Sequence, residues 1–90
     1  MATTAEAEIF SRIFEPEKPN LSGAAARSIL RLDFKASDRE RMNELADKAR
    51  QGALSPAEDQ ELDDFIRVGH LLAIMQSKAR QSLKRVNGTR

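Results

Sequence analysis

After Pro56 the sequence shows neither a proline nor a turn dipeptide until Asn87-Gly88. A helix over Pro56–Val86, 31 residues, would be about 46 Å long at 1.5 Å per residue. A compact chain of 90 residues has a radius of gyration of about 12 Å, hence a diameter of about 30 Å. Such a helix outruns any single domain the chain can build. It must break, fray or find a partner.

Its apolar pattern favours a partner. Leu62, Gly69, Gln76 and Leu83 stand seven apart, as do Phe65, Leu72, Ala79 and Val86. Six of those eight are apolar beyond glycine, which makes a heptad-like seam. Gly69 and Ala79 would let a second backbone come close, and Gln76 could set register. Ile66, Val68, Leu71, Ile74 and Met75 lie off the seam, so apolar groups fall on nearly every side from Phe65 to Met75. A helix apolar all round is covered all round. Three shorter helices can cover one side, and a second copy of the same helix is the simplest cover for the other. The expected homodimer interface is Leu62, Phe65, Gly69, Leu72, Gln76, Ala79 and Leu83. A closed single-chain bundle with the long helix central is the alternative.

Start and stop signals divide the rest of the chain into three shorter helices. Thr3-x-x-Glu6 has the form of a capping box, and Ile9, Phe10, Ile13 and Phe14 follow as one stripe. Pro16 ends that helix near Glu15, because the residue before proline avoids the helical region. Pro16–Asn20 reads as a stiff linker. Ser22 caps a second helix whose buried face is Ala25, Ala26, Ile29, Leu30 and, at its end, Phe34. Ser37-x-x-Glu40 reads as a second box, opening a third helix with Met42, Leu45, Ala46 and Ala49 on one face. Gly52 sits where a left-handed residue ends a helix. Ser55-Pro56-Ala57-Glu58 combines an N-cap, a first-turn proline and a box glutamate. The connection Gln51–Leu54 is short, so the third and fourth helices should form an antiparallel hairpin.

The expected architecture is therefore all-α, with three short helices packed on a long C-terminal helix. It reads as a single domain: an N-terminal helix and linker over 1–20, a helical core over 21–86 and a flexible tail over 87–90.

A chain this short has a thin core. It has no cysteine and one histidine, so disulfides are excluded and a metal site is disfavoured. No cofactor is expected. Oligomerisation is the remaining way to strengthen the core. No run of about 18 apolar residues occurs, so no membrane span is expected. The N-terminus lacks the basic start and apolar block of a signal peptide, and a cytoplasmic setting is expected.

The net charge of +1 conceals an asymmetry. Residues 1–66 carry 9 bases and 14 acids, a balance of −5, whereas residues 67–90 carry six bases and no acid. Acids at the start of the long helix and bases at its end complement the helix dipole. They also suit an antiparallel pair of such helices. The functional reading of the basic end places a partner or polyanion on Lys78, Arg80, Lys84 and Arg85. Gln76, Ser77, Gln81 and Ser82 would add neutral hydrogen-bonding groups of the kind found on phosphate backbones. Without aromatics among them, base stacking is disfavoured. The bases also lie far from the hairpin turn, unlike a DNA-reading helix-turn-helix.

Enzymatic chemistry finds little support. His70 has Arg67 three residues before it and no acid within a turn. The adjacent pairs Glu58-Asp59 and Asp63-Asp64 point about 100° apart on a helix and make no acid–base dyad. Glycines at 23, 52, 69 and 88 form no phosphate loop. An enzyme is not expected.

Arg41–Leu45, Lys48–Arg50, Gly52, Leu54, Ser55 and Glu58 resemble the helical hairpin of small bacterial proteins of unknown function. A broader likeness starts at Leu21 and includes Val68-Gly69-His70-Leu71-Leu72 and Gln76-Ser77-Lys78-Ala79-Arg80. It is similar to a family of uncharacterised small bacterial proteins, some encoded beside HNH-type nuclease genes. The resemblance implies an antitoxin-like role, or one accessory to an enzyme such as a nuclease, and brings no catalytic residues. The expected function is a homodimeric protein-interaction module, with an acidic protein as partner. A nucleic-acid-binding accessory using the basic end is the alternative.

Overall fold

The computed structural model describes residues 5–88. Those residues form four helices and no strand: α1 (Ala5–Phe14), α2 (Gly23–Leu30), α3 (Ala36–Arg50) and α4 (Pro56–Gly88). α4 is 33 residues long and continues through Asn87, the expected stop. Thr3 and residues 89–90 lie outside the described residues, so the Thr3 box and half of the expected tail do too.

Most helix ends follow their local chemistry. α1 stops at Phe14, two residues before Pro16. Glu15 then takes a positive φ of 53°, a region that costs a residue with a side chain about 1–2 kcal/mol. Its N–H still donates to the Ser11 carbonyl at 2.8 Å. Ser22 caps α2, its hydroxyl accepting from the Ala25 N–H at 3.1 Å. α3 ends with Gly52 at φ 67°. There the Gly52 N–H donates to the Ala49 carbonyl and the Ala53 N–H to the Lys48 carbonyl, at 3.1 and 2.8 Å. This pair of reversed bonds satisfies two carbonyls that the last turn leaves open. α4 opens with a complete capping box. The Glu58 N–H donates to Ser55 Oγ at 3.1 Å, and the Ser55 N–H donates to Glu58 Oε1 at 3.0 Å.

The start of α3 differs from expectation. Lys35, not Ser37, is its N-cap, and no side chain caps it. The helix begins early enough to take Ser37 inside its first turn. Asp33 organises the approach instead: its carboxylate accepts from the Phe34 N–H at 2.8 Å and pairs with Arg39.

The chain divides into two compact units. The terminal unit holds residues up to Leu32 together with those from His70 onward, and so contains α1, α2 and the second half of α4. The central unit is Asp33–Gly69, with α3 and the first half of α4. The N-terminal helix falls in the same unit as the second half of α4.

In the terminal unit each of the three helices buries one alanine completely: Ala7, Ala26 and Ala79. In the central unit Leu45 is completely buried. Two apolar faces differ from the periodic reading. Ile9 and Ile13 of α1 are 49% and 76% exposed, while Phe10 and Phe14 stack at 5.3 Å between ring centroids. The covered face of α1 is therefore Ala7, Phe10 and Phe14. Phe34 lies beyond α2 and meets Phe65 edge-on at 6.1 Å.

Candidate functional site

The last third of α4 uses its polar side chains on its own chain. Lys78 is only 6% exposed. A buried ammonium needs acceptors close by, and Lys78 Nζ donates to the Phe14 carbonyl at 2.7 Å while sitting 4.6 Å from the Phe14 ring centroid. Ser82, fully buried, accepts the Leu21 N–H at 3.1 Å. Arg85 donates through Nε to the Pro19 carbonyl at 2.5 Å and through Nη2 to the Leu21 carbonyl at 3.5 Å. The Gln76 amide donates to the Ile29 and Leu32 carbonyls at 3.3 and 2.8 Å. Helix ends and linkers leave carbonyls that regular structure cannot satisfy. These four residues supply partners for the end of α1, the linker and the end of α2.

The expected basic site is changed accordingly. Of Lys78, Arg80, Lys84 and Arg85, Lys78 is buried and Arg85 is bonded to the linker. Arg80 and Lys84 are exposed, four residues apart on one face, and have no bond partner among the described residues. The expected seam is changed too. Ala79 is already fully buried and the Gln76 amide is already bonded, so neither is free for a second chain. Leu62, Phe65, Gly69, Leu72 and Leu83 are only partly covered. A methyl group built on Gly69 would meet nothing within 4 Å, so the close approach that glycine permits is unfilled.

The acidic half of α4 is linked to α3. Glu61 receives both Arg41 Nε and Nη2 at 2.9 Å, a two-pronged pairing. Lys48 Nζ lies 2.5 Å from Glu58, whose side chain is 17% exposed. The Lys48 hydrogen bond and then the Ser55 N–H hold the Glu58 carboxyl down to about 2. Arg41 likewise lowers Glu61, and Arg41 is itself raised by Glu61 and Glu44. Arg39 does the same for Asp33.

Beside these pairs the central unit has a groove of about 400 Å³, lined by Phe34, Asp38, Glu61, Asp64, Phe65 and Val68. Its surface is mainly apolar, and Val68 is 51% exposed. Glu61 is occupied by Arg41, and Asp64 accepts from Gln60 and Arg67. Asp38 is half-buried and has no partner among the described residues. The sequence reading missed this groove because it placed Phe34 at the end of α2. The available signal was Phe34 followed four residues later by Asp38.

His70 Nδ1 is shielded from solvent without a hydrogen-bond partner. Among the described residues no three His, Asp or Glu side chains are grouped to hold a metal. No helix among them is long and apolar enough to cross a membrane. Comparison with family models, curated proteins and solved structures finds no match.

Proposed function

We propose that the chain is a protein-interaction module that works as a homodimer, using the incompletely covered apolar face of α4. One observation carries this reading. Among the apolar side chains of α4 from Leu62 to Leu83, Ala79 alone is fully buried, and every larger one keeps some exposure. Apolar area left in water is the general driving force for association. Within each copy, α3 and the start of α4 form an antiparallel hairpin. The pairings Lys48–Glu58 and Arg41–Glu61 support that direction, since earlier residues of α3 meet later residues of α4. The sequence resemblance extends the reading to an antitoxin-like or enzyme-accessory role, and the lack of cysteine suits the cytoplasm.

The test is the mass in solution at about 50 μM, where an association of micromolar strength is saturated. Light scattering should give twice the chain mass of 10.1 kDa. Leu72→Asp places an unpaired charge in the seam and should dissociate the dimer or unfold the chain, circular dichroism separating the two outcomes. A monomeric unmutated chain would refute the proposal. The nucleic-acid reading has lost support, because two of its four cations are engaged within the chain.

A further inference from the structure

We infer that the Phe34–Phe65 groove receives the Arg80–Lys84 edge of α4 from a second copy. The inference rests on the homodimer reading and names its contacts. The groove joins aromatic faces to the Asp38 carboxylate, which has no partner among the described residues. A side chain with an apolar stem and a cationic tip fits that combination: the stem lies on the rings and the tip reaches Asp38. At about 400 Å³ the groove falls within the ~300–1,000 Å³ range of clefts that hold a ligand.

Charge selects the occupant. The central unit carries ten acids and six bases, a balance of −4, and the remaining residues carry four acids and nine bases, a balance of +5. Arg80 and Lys84 are exposed cations on that positive part with no partner among the described residues. Antiparallel pairing of two α4 helices sets the acidic start of one against the basic end of the other. A two-fold contact is self-complementary, so what one copy offers the other receives.

Charge reversal tests the pairing. Asp38→Lys and Lys84→Glu should each weaken self-association by about tenfold or more, measured by sedimentation. Mixing the two variants should restore the affinity of the unmutated chain, because each contact in the mixed dimer then joins opposite charges. Circular dichroism checks that both variants remain helical. Arg80→Glu, at an exposed position, provides a second variant expected to weaken association in the same direction. If the unmutated chain dimerises and neither reversal weakens it, or if mixing restores nothing, the groove assignment is overturned while the homodimer stands. A chain that stays monomeric overturns both.

Discussion

Lys78 Nζ sits 2.7 Å from the Phe14 carbonyl oxygen and 4.6 Å from the centroid of the Phe14 ring. One cation closes the end of α1 from two sides, through a hydrogen bond and through the face of the ring. The cation also lies at the negative end of the helix dipole. This explains a lysine that is almost wholly removed from solvent without a carboxylate partner.

Lys78→Met keeps most of the stem and removes the ammonium. It leaves the Phe14 carbonyl unpaired in a covered place, and should lower stability by about 1–3 kcal/mol. Gln81→Met, three residues on and exposed, should stay within about 0.5 kcal/mol. Urea denaturation of both variants decides the matter. Equal effects would mean that Lys78 is held less firmly than described.

Ser82→Ala should cost a similar amount, about 1–3 kcal/mol, because the Leu21 N–H loses its acceptor inside the terminal unit. Hydrogen exchange supplies a local readout. The Leu21 amide should lose protection in Ser82→Ala, while amides of α3 in the central unit should not change. Unaltered exchange at Leu21 would contradict the bond.

The α3–α4 connection depends on two small devices. Ser55→Ala removes the cap and should cost about 1 kcal/mol. Gly52→Ala meets open space yet must hold φ near 67°, and should cost about 1–2 kcal/mol from backbone strain alone. Thermal melts should show both losses. A neutral Gly52→Ala would exclude the left-handed turn.

Acid should destabilise the central unit in a definite window. The Glu58 carboxyl is lowered from 4.5 to about 2. A lowered carboxyl contributes stability that is fully present above its unfolded value and is lost as the pH falls through its folded one. The loss should therefore fall between about pH 4.5 and pH 2. Glu61 and Asp33, lowered by Arg41 and Arg39, add to it in the same direction. Glu58→Gln should melt at a lower temperature near neutral pH and lose less on acidification. An acid profile identical to that of the unmutated chain would count against the Lys48–Glu58 pairing.

Duplex DNA should not be retained at about 150 mM salt, where weak phosphate contacts are screened. Of the four bases, only Arg80 and Lys84 are exposed without a partner among the described residues, too few cations for a site that persists at that salt. Sub-micromolar binding in a gel shift, abolished by Arg80→Gln with Lys84→Gln, would reverse this expectation and revive the nucleic-acid reading.

Much of the local chemistry was legible in the sequence where the partner of a group lies within four residues. The Ser55–Glu58 box, the left-handed Gly52, the Ser22 cap and the end of α1 before Pro16 all follow from near neighbours. So does the length of α4, since nothing between Pro56 and Asn87 breaks a helix. Ser37-x-x-Glu40 misled because a capping box has the same spacing as two residues inside a helix. α3 starts without a side-chain cap, and Asp33, three residues before it, pairs with Arg39 inside it.

Tertiary structure alone decided what the basic end of α4 does. Lys78, Ser82, Arg85 and Gln76 bond to main-chain groups 44 to 66 residues away. A carbonyl left open at a distant helix end has no signature in the sequence, since every residue carries one. Tertiary structure likewise brought Phe34 to Phe65 and left Asp38 beside them without a partner among the described residues. A run of bases reads the same whether it faces solvent or closes the ends of its own helices. Only the position of the rest of the chain distinguishes the two.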